Sequence, residues 1–151
     1  MIKILFICHG NICRRPMAEF IMKDLVAKQG REDEFFIASA ATSAEEIGHG
    51  VYRPARAELA KHGIGCEGKR SVRLQRSDYD KYDLLIGMDE ANIGHMIRIC
   101  GGDSRGKIHK LLDYTHHGGD VADPWYTGRF DVAYRDIYEG CTALLKTICP
   151  R

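Results

Sequence analysis

The junction at the amino end of this 151-residue sequence constrains its fold more than any other feature. The run from Ile2 to Ile7 is short, apolar except for Lys3 and rich in β-branched residues, which predicts a buried strand. Behind it, apolar residues recur at helical spacing, and Pro16 stands where the first turn of a helix tolerates proline. The loop between them therefore joins a strand to a helix N-terminus, where backbone N–H groups converge and favour an anion.

This loop contains a cysteine and an arginine, Cys8 and Arg14, spaced as Cys-x5-Arg. Because the helix dipole and the arginine both favour negative charge, we expect the Cys8 thiol to have a pKa lowered to roughly 3.5 to 7.5. A thiolate is a nucleophile, and a guanidinium binds two oxygens of a tetrahedral oxyanion. The pair predicts phosphoryl transfer through a phosphocysteine. The phosphate loop then consists of Cys8 and the residues His9, Gly10, Asn11, Ile12 and Cys13, closed by Arg14.

Composition bounds the class of protein. Hydrophobic residues make up 44% and charged residues 28% of the chain, which indicates one globular domain spanning residues 1–151. Lys plus Arg number 22 against 21 for Asp plus Glu, so we expect neither nucleic acid nor membrane as a partner. The apolar amino end is too short for a signal peptide, which predicts a cytoplasmic protein. We expect no cofactor, no metal, and thiols rather than disulfides.

Strand-like and helix-like segments alternate along the chain. The predicted strands after the first are Glu34 to Ala41, Leu84 to Ile86, and Ile108 to Leu112. The predicted helices after the first are Pro54 to His62, a helix capped by Asp89 and reaching Cys100, and a final helix from Tyr134 to Ile148. This order predicts an α/β fold, a single-domain doubly wound four-stranded parallel sheet with helices on both faces. Ligands bind at the carboxyl ends of such strands, which is where Cys8 lies.

A phosphocysteine mechanism also needs an acid that protonates the leaving oxygen and then activates water. Asp123 is a candidate because Pro124 stiffens its turn and disfavours a helical conformation. Trp125 and Tyr126 follow it and offer flat apolar surface to an aryl ring. From the residues alone, an ordinary surface Asp-Pro turn explains this stretch equally well.

Four motifs in order resemble those of the low-molecular-weight protein tyrosine phosphatase family. They are the loop Cys8 to Pro16, the second-strand segment Ser39 to Ser43, Met88-Asp89-Glu90, and Asp123-Pro124-Trp125-Tyr126. The resemblance implies metal-independent hydrolysis of phosphotyrosine or small aryl phosphates, with inorganic phosphate as product. It implies that Cys8 is the nucleophile, that Arg14 binds the phosphate and stabilises the transition state, and that Asp123 is the general acid and base.

The resemblance also implies supporting residues around the loop. Asn11 is expected to hold the loop in shape through a bond to Ser39, and Asp89 to be a supporting acid near the rim. Cys13 is expected to trap oxidised Cys8 as a reversible disulfide.

The expected substrate rim consists of Glu45, Ile47, Trp125 and Tyr126. The family often carries an aromatic residue at the position of Glu45. The glutamate found here is expected to disfavour acidic residues around a phosphotyrosine.

Within the cysteine loop, one residue departs from the family pattern. The family loop usually reads Cys-Arg-Ser-Pro, and this chain has Arg15 in place of the serine whose hydroxyl supports the nucleophilic sulfur. Three alternatives stay open for the Arg15 side chain: it adds positive charge beside the sulfur, it points away from the site, or it intrudes on the phosphate seat. We expect lower turnover than is typical, with phosphate binding retained.

Two alternative functions stay open. A catalytically weakened phosphate-binding module is one, because Arg15 replaces the serine. An arsenate reductase of the same fold is the other, although it needs two further cysteines close together. The stretch from Tyr79 to Asp89 has none, and Cys66 and Cys100 are isolated in the sequence.

Overall fold

A computed structural model describes residues 1–9, 13–43, 50–66 and 72–149 of the chain. Its strands are Ile2–Cys8 (β1), Phe35–Ala41 (β2), Leu84–Gly87 (β3) and Ile108–Lys110 (β4). Its α-helices are Arg14–Lys28 (α1), Arg53–Lys61 (α2), Asp78–Lys81 (α3), Glu90–Cys100 (α4), Pro124–Thr127 (α5) and Phe130–Ile148 (α6). Two 3₁₀ turns cover Glu32–Glu34 and Leu111–Tyr114. None of the helices in these ranges combines the length and apolarity needed to cross a membrane.

The four strands form one sheet in the order β2-β1-β3-β4, and every neighbouring pair is parallel. The central strand β1 pairs with β2 along its whole length, so that Cys8 lies opposite Ala41. On its other side, Ile4 to Ile7 pair with Leu84 to Gly87. The predicted four-stranded parallel sheet is therefore confirmed.

Helices cover both faces of this sheet because the side chains of β1 alternate between them. Ile4, Phe6 and Cys8 belong to one buried cluster, which includes residues of α1, α2 and α6. Leu5 and Ile7 belong to a second cluster, which includes residues of α3 and α4. A strand buried on both sides explains why the first run of the sequence is almost continuously apolar. The doubly wound arrangement is confirmed.

The predicted fourth strand is wrong at its carboxyl end. β4 stops at Lys110, which pairs with Gly87, and Leu111 and Leu112 form a 3₁₀ turn instead. β3 itself ends at Gly87, so that an edge strand continuing past Lys110 has no β3 partner in this sheet. Both leucines are buried in the cluster that includes α6, so their apolar character reflects core packing and not strand pairing.

The predicted capping of α4 is confirmed. The Asp89 Oδ1 atom accepts a hydrogen bond from the Asn92 N–H at 2.8 Å, and the Asn92 side chain accepts from the Asp89 N–H at 3.2 Å. The helix ends at Gly101 with φ 77°, a left-handed conformation that glycine adopts without strain. Asp89 is thus held at a defined place beyond the end of β3.

The packing of α6 on the turn after β4 yields a stability prediction. A Cβ atom added at Gly140 lies 2.5 Å from Cγ of the buried Leu111. Although alanine favours a helix over glycine by about 1 kcal/mol, overpacking a core costs about 1–3 kcal/mol. We expect Gly140→Ala to lower the free energy of unfolding by about 1 kcal/mol, as measured by urea denaturation.

Gly94→Ala is the matched control because Gly94 lies inside α4 and an added Cβ meets no atom within 4 Å. We expect this substitution to raise the free energy of unfolding by up to about 1 kcal/mol. Equal stabilisation by both substitutions would contradict the close contact between Gly140 and Leu111.

Candidate active site

The carboxyl end of β1 carries Cys8 into the interior, and the segment after β2 holds the start of the loop that follows. The Thr42 N–H donates to the Cys8 carbonyl at 3.0 Å, and the Ser43 N–H donates to the His9 carbonyl at 2.7 Å. The Thr42 hydroxyl also donates to the His9 carbonyl, at 3.0 Å. The second-strand motif thus fixes the backbone of the nucleophile candidate.

Arg14 opens α1, and only 3% of its side chain is exposed. Its Nη1 donates to Asp89 Oδ2 and to the Val121 carbonyl, both at 2.8 Å. Its Nη2 lies 3.6 Å from Asp123 Oδ2. The Nε is buried and has no hydrogen-bond partner in the part of the chain that the structure describes. A buried donor of this kind costs free energy until an acceptor meets it.

Asp123 lies beside this guanidinium, as the sequence predicts for an acid of the same site. It precedes α5 with an extended backbone, and its Oδ1 accepts from the Trp125 N–H at 3.0 Å. Its charge also raises the pKa of the Cys8 thiol. The structure therefore brings Cys8 and Arg14, at the two ends of the first loop, together with Asp123, which directly precedes α5.

The ionisation of Cys8 differs from the expectation. Burial raises the pKa of the Cys8 thiol above its ordinary value, while the charges of Arg15 and Arg14 and the Arg15 N–H act in the opposite direction. The expected lowering of this pKa is therefore wrong. Burial, Asp123 and Cys8 together raise the pKa of the neighbouring Cys13 thiol to about 12.

Arg15 does not point away from the site. It is almost completely buried, and both its backbone N–H and its side chain are hydrogen-bonded to Cys8. Burial lowers the pKa of Arg15, and the charges of Cys8 and Glu19 oppose that lowering. The alternative that Arg15 points away is therefore wrong, and its positive charge acts on the sulfur. The alternative that it intrudes on the phosphate seat stays a prediction.

Glu19 is a buried charged residue near this site that sequence reasoning missed. It lies one turn after Arg15 on α1 and accepts from the Ser39 hydroxyl at 2.6 Å and from Lys23 Nζ at 2.7 Å. The i, i+4 spacing of Arg15, Glu19 and Lys23 is the sequence pattern that could have indicated ion pairs of Glu19 on this helix. Ser39, predicted as a supporting residue, is thus connected to α1.

The aromatic rim is partly as predicted. Trp125 and Tyr126 are both exposed, and the ring of Trp125 lies 4.8 Å from that of Tyr52. Tyr52 immediately precedes α2, and no spacing in the sequence pointed to it. His9 is exposed, and its ring lies 5.9 Å from that of His95.

Several predicted site residues lie outside the described residues, namely Gly10, Asn11, Ile12, Glu45 and Ile47. The predicted bond between Asn11 and Ser39 and the predicted role of Glu45 therefore stay predictions.

Cys66 and Cys100 belong to different buried clusters, which does not favour the relay of disulfides that an arsenate reductase needs. Within the four described ranges, no group of three or more His, Cys, Asp or Glu side chains is placed to hold a metal ion.

Comparison with known proteins agrees with this geometry. The profile of the family described as "Low molecular weight phosphotyrosine protein phosphatase" matches residues 3–150. The low molecular weight protein-tyrosine-phosphatase YfkJ of Bacillus subtilis is 39% identical over 150 residues, which cover 98% of this chain and 96% of that protein. The crystal structure of YfkJ matches with a TM-score of 0.93.

Two further solved structures are similar. The low molecular weight protein tyrosine phosphatase SP-PTP of Streptococcus pyogenes is 34% identical with a TM-score of 0.88, covering 98% of this chain and 93% of that one. The Drosophila arginine phosphatase DARP is 27% identical with a TM-score of 0.88, covering 98% of each chain. With the site described above, these matches show that the chain belongs to the low molecular weight phosphotyrosine protein phosphatase family, a family of phosphoric monoester hydrolases.

Proposed function

We propose that this chain, as one domain, hydrolyses phosphotyrosine and related aryl phosphate monoesters through a phosphocysteine on Cys8, without a metal ion. The observation that carries this proposal is the convergence of the buried Arg14 guanidinium with Asp123 at the end of the strand that bears Cys8. A nucleophile, a cation for the phosphoryl oxygens and an acid for the leaving group suffice for this reaction.

In the first step Arg14 binds two non-bridging oxygens of the substrate, and the Cys8 sulfur attacks phosphorus. The ester P–O bond breaks as the S–P bond forms, and Asp123 in its acid form gives its proton to the departing phenolate oxygen. Proton transfer during bond breaking prevents the release of a basic oxyanion. The product of this step is a neutral phenol and phosphocysteine.

In the second step the Asp123 carboxylate takes a proton from water, and the water oxygen attacks phosphorus. The S–P bond breaks, and the electron pair returns to the Cys8 sulfur. Arg14 and Arg15 stabilise the sulfur as a thiolate because both charges favour its ionised form. Inorganic phosphate leaves with Asp123 again in its acid form.

The raised pKa of Cys8 is compatible with this scheme. Because attack needs a thiolate, the thiol proton passes to a phosphoryl oxygen of the bound dianion. Thiol with dianion and thiolate with monoanion contain the same number of protons, and the charges of Arg14 and Arg15 lower the free energy needed to form the thiolate.

An aryl substrate is favoured by the rim. Tyr52 and Trp125 form an aromatic pair next to Asp123, and flat apolar rings pack well against an aryl group. One of the similar solved structures is that of an arginine phosphatase. Phosphoarginine therefore serves as the comparison substrate.

Hydrolysis of phenyl phosphate and p-nitrophenyl phosphate, with a chelator present, tests the proposal. We expect Cys8→Ser to abolish turnover because the hydroxyl is a far weaker nucleophile than the thiolate. We expect Asp123→Asn to lower kcat/KM about 100-fold for phenyl phosphate and about 10-fold for p-nitrophenyl phosphate, whose leaving group needs less protonation.

A wild-type rate no higher than that of Cys8→Ser, with inorganic phosphate still bound, would instead indicate a phosphate-binding module. Faster turnover of phosphoarginine than of both aryl phosphates would reject the proposed substrate class.

The two oxygens of Asp89 have separable effects, because Oδ1 caps α4 and Oδ2 accepts from Arg14. Asparagine keeps the cap, whereas alanine loses it. We expect Asp89→Asn and Asp89→Ala to lower kcat/KM for p-nitrophenyl phosphate equally, about 10-fold, through loss of the charged partner of Arg14. Only Asp89→Ala should lose a further ~1 kcal/mol of unfolding free energy. Full activity of Asp89→Asn would show that the carboxylate charge is not needed.

The charge of Arg15 favours the Cys8 thiolate, so its removal should raise the pKa of Cys8. We expect Arg15→Gln to move the midpoint of Cys8 alkylation by iodoacetamide upward by about one pH unit. Arg15→Lys keeps the charge and should remain closer to the wild type. An unchanged or lower midpoint in Arg15→Gln would mean that Arg15 does not act on the sulfur.

A further inference from the structure

A buried lysine lies near the site without taking part in the proposed chemistry. Lys110 is the last residue of β4, and only 9% of its side chain is exposed. Its Nζ lies 2.7 Å from Glu90 Oε1 and 3.0 Å from Asp120 Oδ1. Both carboxylates belong to segments that contribute to the active site.

Lys110 joins the same two segments that Arg14 joins. Glu90 follows Asp89, which accepts from Arg14, and Asp120 precedes Val121, whose carbonyl also accepts from Arg14. Two cations from different elements therefore bridge the start of α4 to the segment 120–123. Arg14 does so at the active centre, and Lys110 does so from the end of β4.

The backbone adds a third link to this segment. The Val121 N–H donates to the Met88 carbonyl at 2.9 Å, just beyond the end of β3. The chain is thus held at Asp120 by Lys110, and at Val121 through both its N–H and its carbonyl group. Asp123 lies two residues further on in the same segment.

From these contacts we propose that Lys110 is a positioning residue for Asp123, which it serves by holding Asp120 against the start of α4. This inference rests on the proposed role of Asp123 as the general acid. Within the part of the chain that the structure describes, the Lys110 ammonium group pairs with Glu90 and Asp120 and not with the sulfur or with Arg14. Its effect is therefore expected on proton delivery to the leaving group.

Stability is not the main contribution of these ion pairs. The side chains of Glu90 and Asp120 are 73% and 49% exposed, and ion pairs with such partners contribute little to folding. Without the ammonium group both carboxylates remain solvated. Lys110→Met keeps the length and the apolar stem of the side chain, so the variant is expected to fold.

Comparison of two leaving groups tests the proposal. A misplaced general acid slows a substrate with a basic leaving group more than one with an acidic leaving group. We expect Lys110→Met to lower kcat/KM about 10-fold for phenyl phosphate and about 2-fold for p-nitrophenyl phosphate, a part of the effect of Asp123→Asn. Lys110→Arg should restore most of the loss.

Asp120→Ala separates position from charge, because it removes the oxygen that Lys110 Nζ contacts together with the negative charge. If Lys110 acted through space by its charge, removing a nearby negative charge would have the opposite effect to removing the positive one. Because positioning requires the bond itself, Asp120→Ala and Lys110→Met should shift the ratio of the two kcat/KM values in the same direction. Asp120 is half exposed, so this variant also covers the case in which Lys110→Met folds poorly.

Lys107→Met is the matched control. Lys107 lies three residues earlier, and its Nζ donates to the Tyr79 carbonyl at 2.6 Å on a different part of the surface. We expect its ratio of kcat/KM values to equal that of the wild type. Equal losses on both substrates in Lys110→Met, or opposite shifts in Lys110→Met and Asp120→Ala, would overturn the positioning role while the effect of Asp123→Asn persists. If Asp123→Asn itself shows no dependence on the leaving group, the proposed function of Asp123 and this inference both fall.

Discussion

The buried guanidinium of Arg14 is the interaction on which the structure of the site depends. A charge removed from water is tolerated only with close partners, and Arg14 finds them in Asp89 and in the Val121 carbonyl, with Asp123 slightly further away. These partners come from the start of α4 and from the segment before α5. The need to satisfy one cation therefore draws the first helix, the third strand and the acid-bearing loop to a single point.

Several residues near this point contribute both to the stability of the fold and to the geometry of the site, so that a substitution at one of them affects both. Asp89 caps α4 with one oxygen and holds Arg14 with the other. Glu19 connects the helix of the cysteine loop to β2 through Ser39, and its charge acts on Arg15. Because each contact has two consequences, loss of activity alone does not separate a chemical role from a structural one. Matched variants and leaving-group comparisons separate them.

The sequence predicted the parts whose signal is local. β1 follows from an uninterrupted apolar run, and the cap and stop of α4 follow from Asp89 and the glycine pair after Cys100. The sequence did not predict where β4 ends. An edge strand stops where its neighbouring strand stops, and the apolar Leu111 and Leu112 pack in the core instead of continuing the strand. Neither Tyr52 nor the inward direction of Arg15 was predicted, since both depend on packing between distant segments.

What the sequence by itself determined is the order of strands and helices, the family, and the three residues proposed for the chemistry, because periodicity and short motifs encode them directly. Only the tertiary structure decided how these residues act on one another. Burial raises the pKa of Cys8 although the charges of two arginines act to lower it. Lys110 forms an ion pair with Asp120, which lies ten residues away along the chain. Solvent exclusion and side-chain direction arise only when the layers pack, so no local pattern in the sequence carries them.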